Sequence, residues 1–142
     1  MTGLHHELTI ACDPQRAFTL FTLGMGTWWD PAYSPDPEAF TGIEVEPFVG
    51  GALTMLLGDA RYVFGRVRTW EPGVRFTQSF CLAMSPESPS EIDVHFAEDE
   101  GGVCLVSFHH GGWSPANRAF RTKYRDWPYL LGQYAEAAAR LS

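Results

Sequence analysis

The sequence predicts an α+β domain: a curved antiparallel β-sheet wrapped around a long C-terminal helix, with two short helices after the first strand. Three observations lead there. Between Gly42 and His110, apolar runs are separated at short intervals by Gly, Pro and Asp turns, as in a meander. Leu130, Leu131, Tyr134, Ala135, Ala138 and Leu141 recur at three and four residues, the stripe of an amphipathic helix. The chain of 142 residues, 45% of them hydrophobic, is the size of one domain that can bury a core.

Leu4 to Ala11 alternates in part and reads as the first strand. Asp13 followed by Pro14 is a helix N-cap with proline at the first helical position. Ala17, Phe18, Leu20 and Phe21 then give a short amphipathic helix over Gln15 to Leu23, stopped by Gly24 and Gly26. A helical turn at Trp28-Trp29 opens a loop to Phe40, in which Pro31, Pro35 and Pro37 exclude a continuous strand. Strands are expected at Ile43 to Phe48, Ala52 to Leu57, Arg61 to Trp70, Val74 to Leu82, Glu91 to Phe96 and Val103 to His110. Ser114-Pro115 starts a helix over Ala116 to Arg125, Asp126-Trp127-Pro128 interrupts it, and the final helix runs from about Pro128 to Leu141.

Composition removes several functions. Acidic residues number 17 against 10 basic, a formal net charge of −7, and no basic stripe is present to grip nucleic acid. The basic cluster Arg118, Arg121, Lys123 and Arg125 reads as a solvated helix face. No run approaches the ~20 apolar residues of a membrane span, and Met1 to Leu8 lacks a signal-peptide core, so the cytoplasm is the expected compartment. Cys12, Cys81 and Cys104 are odd in number, widely spaced and without a CxxC pair, which argues for buried thiols rather than disulfides or zinc. No phosphate-cradling loop, dinucleotide fingerprint or nucleophile elbow occurs, and no cofactor is expected.

A strongly curved sheet cannot close on its helix along its whole length, so a partly empty, greasy interior is expected, opening near the tryptophan pair. The aromatic fraction is 14%, and large rings both fill cores and line apolar pockets. Trp28, Trp29, Trp113 and Trp127 should gather at one end, either as an entrance for a flat ligand or as a plug. An adjacent Trp pair on a helical turn should send one ring inward and one outward. Gln78 lies between Phe76 and Phe80 on the face expected to be apolar, where it would bond a ligand, Ser107 or a water. Ile92, Val94 and Phe96 face inward on a strictly alternating strand. Met55, Leu131 and Tyr134 complete the candidate lining. His95 falls on the polar side of its strand. His109 shares a parity with Val103, Leu105 and Ser107, a set that could face the cavity; there it would be a base, a ligand partner or a capped structural histidine. Cys104, Val106 and Phe108 then form a candidate dimer surface if they are not core.

In order along the chain stand Pro14…Ala17-Phe18…Phe21-Thr22, Trp28-Trp29 and Phe48…Gly50-Gly51. Then come Gly65-Arg66-Val67…Trp70-Glu71-Pro72, Gly101-Gly102-Val103, His109…Gly111-Gly112-Trp113 and Tyr124-Arg125-Asp126-Trp127. With these motifs the chain resembles, over nearly its whole length, the SRPBCC (START-like) superfamily. Within it, the likeness is to the C-terminal domain of the activator of the heat-shock-protein-90 ATPase. The resemblance implies a single helix-grip domain with a deep apolar pocket and a hydrophobic or aromatic small-molecule ligand. It leaves two alternatives open: a cyclase or hydrolase using His109 with Gln78 or a cavity carboxylate, and a module that partners a chaperone ATPase.

Overall fold

The computed structural model describes residues 4–81, 89–112 and 127–140. Strand β1 (Leu4–Ile10) leads into helix α1 (Pro14–Thr22), the four-residue α2 (Met25–Trp28) and a 3-10 turn (Pro31–Tyr33). Six strands follow: β2 (Phe40–Val45), β3 (Ala52–Leu57), β4 (Ala60–Glu71), β5 (Arg75–Phe80), β6 (Ser90–Glu98) and β7 (Cys104–Gly111). Helix α3 (Trp127–Ala139) ends the described chain. The helix expected over 116–125, its basic cluster and Trp113 lie outside the described residues.

The local signals act as expected at α1. Asp13 is extended, its carboxylate accepts from the Arg16 amide at 2.9 Å, and Pro14 starts the helix. Phe18, Phe21 and Ala17 are its buried side. Strand β2 starts earlier and ends earlier than the alternation suggests. The Glu46 carboxylate accepts from the Ala52 amide at 2.7 Å, which turns the chain before Phe48.

All seven strands form one antiparallel sheet in the order β1-β7-β6-β5-β4-β3-β2. The meander therefore closes with β1 returning to pair along β7, Leu4 opposite His110 through to Ile10 opposite Cys104. A register shift in the β3–β4 pair, where Leu53 faces Gly65 and Thr54 faces Val63, adds Phe64 as an extra residue. A Cβ on Gly65 would lie 2.2 Å from the Ser79 carbonyl oxygen, so the crossing of β4 over β5 requires glycine there. Helix α3 packs closest on β1, α1 and α2. The Tyr134 hydroxyl, fully buried, pins α3 to α1 by donating to the Ala17 carbonyl at 2.6 Å.

One core joins the concave sheet face to the helices. Phe21 packs within 5.2 Å of Tyr134 and 5.4 Å of Trp28, and Phe108 within 4.6 Å of Trp127, measured between ring centres. Edge-to-face pairs such as Phe18 with Trp70 recur, as the ring quadrupole favours. Among the described residues no helix is long and apolar enough to cross a membrane.

Candidate functional site

The concave face carries mostly rings and aliphatic side chains, but one end gathers polar ones. Gln78 pairs across from Ile92, and Ile92 from His110, so β5, β6 and β7 set these three in one row. Ser90 stands opposite Phe80 in the next row. Gln78, Ser90 and His110 are all 1% exposed or less. The His110 ring touches those of Phe80 and Trp127, at 5.0 and 5.8 Å between ring centres, and these join a cluster with Trp29 and Phe64. Trp29 lies 5.9 Å from Trp127 and 6.2 Å from Phe64, and Phe80 lies 5.8 Å from Trp127.

The hydrogen bonds here fix a tautomer. An indole N–H can only donate, and Trp127 Nε1 sits 3.0 Å from His110 Nδ1. Nδ1 must therefore accept, which leaves the imidazole proton on Nε2, 2.6 Å from Ser90 Oγ. The Ser90 hydroxyl in turn donates to the Phe80 carbonyl at 3.0 Å. A second proton on His110 would set two donors against each other across Nδ1. Burial holds the pKa down at about 3, with nearby His109 a smaller cause. His110 is thus a neutral imidazole with an oriented dipole. Ser90 faces an Nε2–H rather than a free lone pair, so the pair is not arranged as a nucleophile and its base.

Gln78 turns its amide Nε2–H onto the Ser79 carbonyl at 3.1 Å. Ser107, one of its expected partners, stands on the other face, opposite His95. Phe76, Phe80, Phe96, Met55, Leu131 and Tyr134 are all buried in the core.

His109 is not in that interior. Along β7 it is Cys104, Val106, Phe108 and His110 that are buried, while Leu105 and His109 are exposed. The cause is legible in the pairing: the buried set lies opposite Ile10, Leu8, His6 and Leu4 of β1, and it is the more apolar parity. His109 instead faces outward beside His5, their ring centres 6.3 Å apart. The structure therefore does not bring His109 and Gln78 together. The same finding removes the Cys104, Val106 and Phe108 face as a dimer surface, because it is core.

The tryptophan pair also departs from expectation. Trp28 and Trp29 are 3% and 5% exposed, so both rings go inward. Helix α2 ends at Trp28 and Trp29 is already extended, which cancels the rotation a helix would impose between neighbours. Trp28 Nε1–H donates to the Leu20 carbonyl and Trp29 Nε1–H to the Tyr33 carbonyl, at 2.9 and 3.1 Å. Sequence reasoning missed His110, Ser90 and Phe64. The apolar parity of β7 was the one signal for His110.

The remaining chemistry is muted. Burial pushes the Cys104 thiol up to about 11 and raises Cys81 as well, so neither is a thiolate at neutral pH. His95 is exposed, its Nε2 3.1 Å from Asp93 Oδ1. Among the described residues, no group of three or more His, Cys, Asp or Glu side chains converges as a metal site.

Neither a protein-family model nor a curated relative matches the sequence. Solved structures do match the fold. The solution structure of the Aha1 dimer from Colwellia psychrerythraea superimposes with a TM-score of 0.71 at 20% identity, over 97% of this chain and 96% of that one. An anthrahydroquino-γ-pyrone synthase, solved in a complex, matches with a TM-score of 0.66 at 23% identity, over 96% of each chain. The chain has the helix-grip fold. A protein from Mesorhizobium loti shares the fold as well, with a TM-score of 0.71 at 16% identity over 99% of this chain and 98% of that one. At these identities the likeness is one of fold.

Proposed function

We propose that this SRPBCC domain binds a flat, hydrophobic small molecule in the grip interior, between the concave sheet and α3. The observation that carries the reading is the buried polar group of Gln78, Ser90 and His110, in two adjoining rows of the sheet, at the end where the rings of Trp29, Phe64, Phe80 and Trp127 cluster. Each of the three is bonded within the protein, Gln78 to the Ser79 carbonyl, Ser90 to the Phe80 carbonyl and His110 to Trp127. A core of rings needs no such groups, whereas in a pocket a few placed polar groups orient an otherwise apolar ligand. In this reading Trp28, Met55, Phe76, Phe96, Leu131 and Tyr134 supply the apolar lining, and His110 takes the place expected for His109.

Binding accounts for the site better than acid–base catalysis does. A general base works best with a pKa near the operating pH, and His110 at about 3 holds a proton poorly. The anthrahydroquino-γ-pyrone synthase of similar fold suggests polycyclic aromatic compounds as the first ligands to try.

The test is uptake of Nile red, an uncharged dye that brightens in apolar surroundings. Saturation at one dye per chain is expected, together with displacement of the Trp29 and Trp127 indole signals in ¹H–¹⁵N spectra. A dye that stays dark, with those indole signals unmoved by Nile red and by polycyclic aromatics alike, would sink the proposal.

A further inference from the structure

Helix α1 has a second side. Its buried residues Ala17, Phe18, Phe21 and Thr22 serve the core, but Gln15, Arg16, Thr19, Leu20 and Leu23 border a surface groove of about 880 Å³. Pro47, Trp70 and Pro72, from the β2–β3 and β4–β5 ends of the sheet, form the opposite wall. The volume falls within the range of small-molecule sites. Leu23 is 48% exposed at its edge, apolar surface left in water.

Two polar features mark what would fit. In a chain of net charge −7, no carboxylate lines the groove among the described residues, and the one ionised side chain among them there is Arg16. Its guanidinium Nε stands 3.6 Å from Asp13 Oδ2 in a loose, exposed pair, and the Asp13 carboxylate already accepts from the Arg16 amide. On the opposite wall Trp70 is held edge-on by Phe18 and Phe76, at 5.0 and 5.9 Å. Among the described residues no acceptor meets its indole N–H. A phenylalanine would fill the same wall; the indole adds a fixed donor on an apolar surface.

We propose that this groove is a second binding site, separate from the grip interior, for an apolar molecule that ends in a carboxylate. The hydrocarbon body covers Leu20, Leu23, Pro47 and the Trp70 face. The carboxylate takes the Arg16 guanidinium and accepts from the Trp70 indole N–H. Such charge-assisted bonds are stronger than neutral ones and favour the acid over an alcohol of equal length.

The full chain, ¹⁵N-labelled, is titrated with dodecanoate and with dodecanol below their aggregation limits. Dodecanoate is expected to move the Trp70 indole signal and the Thr19, Leu20 and Leu23 amides, and dodecanol to bind about tenfold more weakly. Arg16→Gln, an exposed substitution, is expected to bring dodecanoate down to the alcohol's affinity, and Trp70→Phe to weaken it as well. An unmoved Trp70 indole, or equal affinity of Arg16→Gln and the unaltered chain, would overturn the proposal. Movement of the Trp29 and Trp127 indoles alone would do so too, while favouring the interior site. Movement of Trp70 alone supports the groove whatever the interior does.

Discussion

The neutral state of His110 makes the stability of this domain fall as pH drops below about 6.5. In the unfolded chain a histidine has a pKa near 6.5, whereas burial, with nearby His109 a smaller cause, holds folded His110 at about 3. Above pH 6.5 both states are neutral and the group is silent. As pH falls below 6.5 the unfolded state gains a proton that the folded state refuses, and stability drops by about 1.4 kcal/mol per pH unit. Between pH 6.5 and 4.5 the loss is about 2–3 kcal/mol, a large part of the 5–15 kcal/mol typical of a domain.

Carboxylates act lower down. Asp30 is held below its usual range by the Ala32 amide and the Tyr129 hydroxyl, and Glu44 by Arg61. Burial works to raise Asp93, but its bonds to Arg75 and its neighbour His95 outweigh that and lower it. These groups lose their contribution only as pH falls through the ordinary carboxylate range and below. His6, lowered by burial and then by His5, adds to the histidine slope with the same sign. Urea denaturation at half-unit steps from pH 7 to 4.5 reads the slope. His110→Gln is expected to be less stable at every pH but to lose most of the pH dependence. Equal slopes in the two chains, or a His110 ring resonance that titrates near pH 6–7, would refute the reasoning.

Trp127→Phe keeps the ring but removes the donor at His110 Nδ1; a loss of about 1–2 kcal/mol is expected by denaturation, with a rise in the His110 pKa by NMR. Gly65→Ala forces a Cβ to 2.2 Å from the Ser79 carbonyl and should cost about 1–3 kcal/mol, read as a lower melting temperature. Tyr134→Phe leaves packing intact and removes the bond to the Ala17 carbonyl, costing about 1 kcal/mol in the same assay. Tyr129→Phe breaks an exposed bond to Asp30 and should change stability by less than about 0.5 kcal/mol.

What the sequence made legible is what is encoded locally. The Asp13–Pro14 cap, the inward Ile92, Val94 and Phe96, and the α3 stripe each follow from neighbours within a turn or a few residues. The misreadings arose where distant pairing decides. The inward parity of β7 is set by β1, about a hundred residues earlier in the chain, and that pairing turned His109 out and His110 in. Phe64 enters the core because a bulge opposite β3 shifts the alternation of β4, and a single strand's pattern cannot show this. Ser90 carries no pattern of its own in the sequence, yet it meets His110 from twenty residues away. The tryptophan pair was misjudged by treating both residues as helical when the helix ends between them.

Native mass spectrometry of the chain purified without detergent shows whether the grip interior holds an apolar molecule. A one-to-one adduct is expected, either carried through purification or acquired from polycyclic aromatic compounds, and released on acid unfolding. The bare chain alone, before and after such incubation, would contradict binding there.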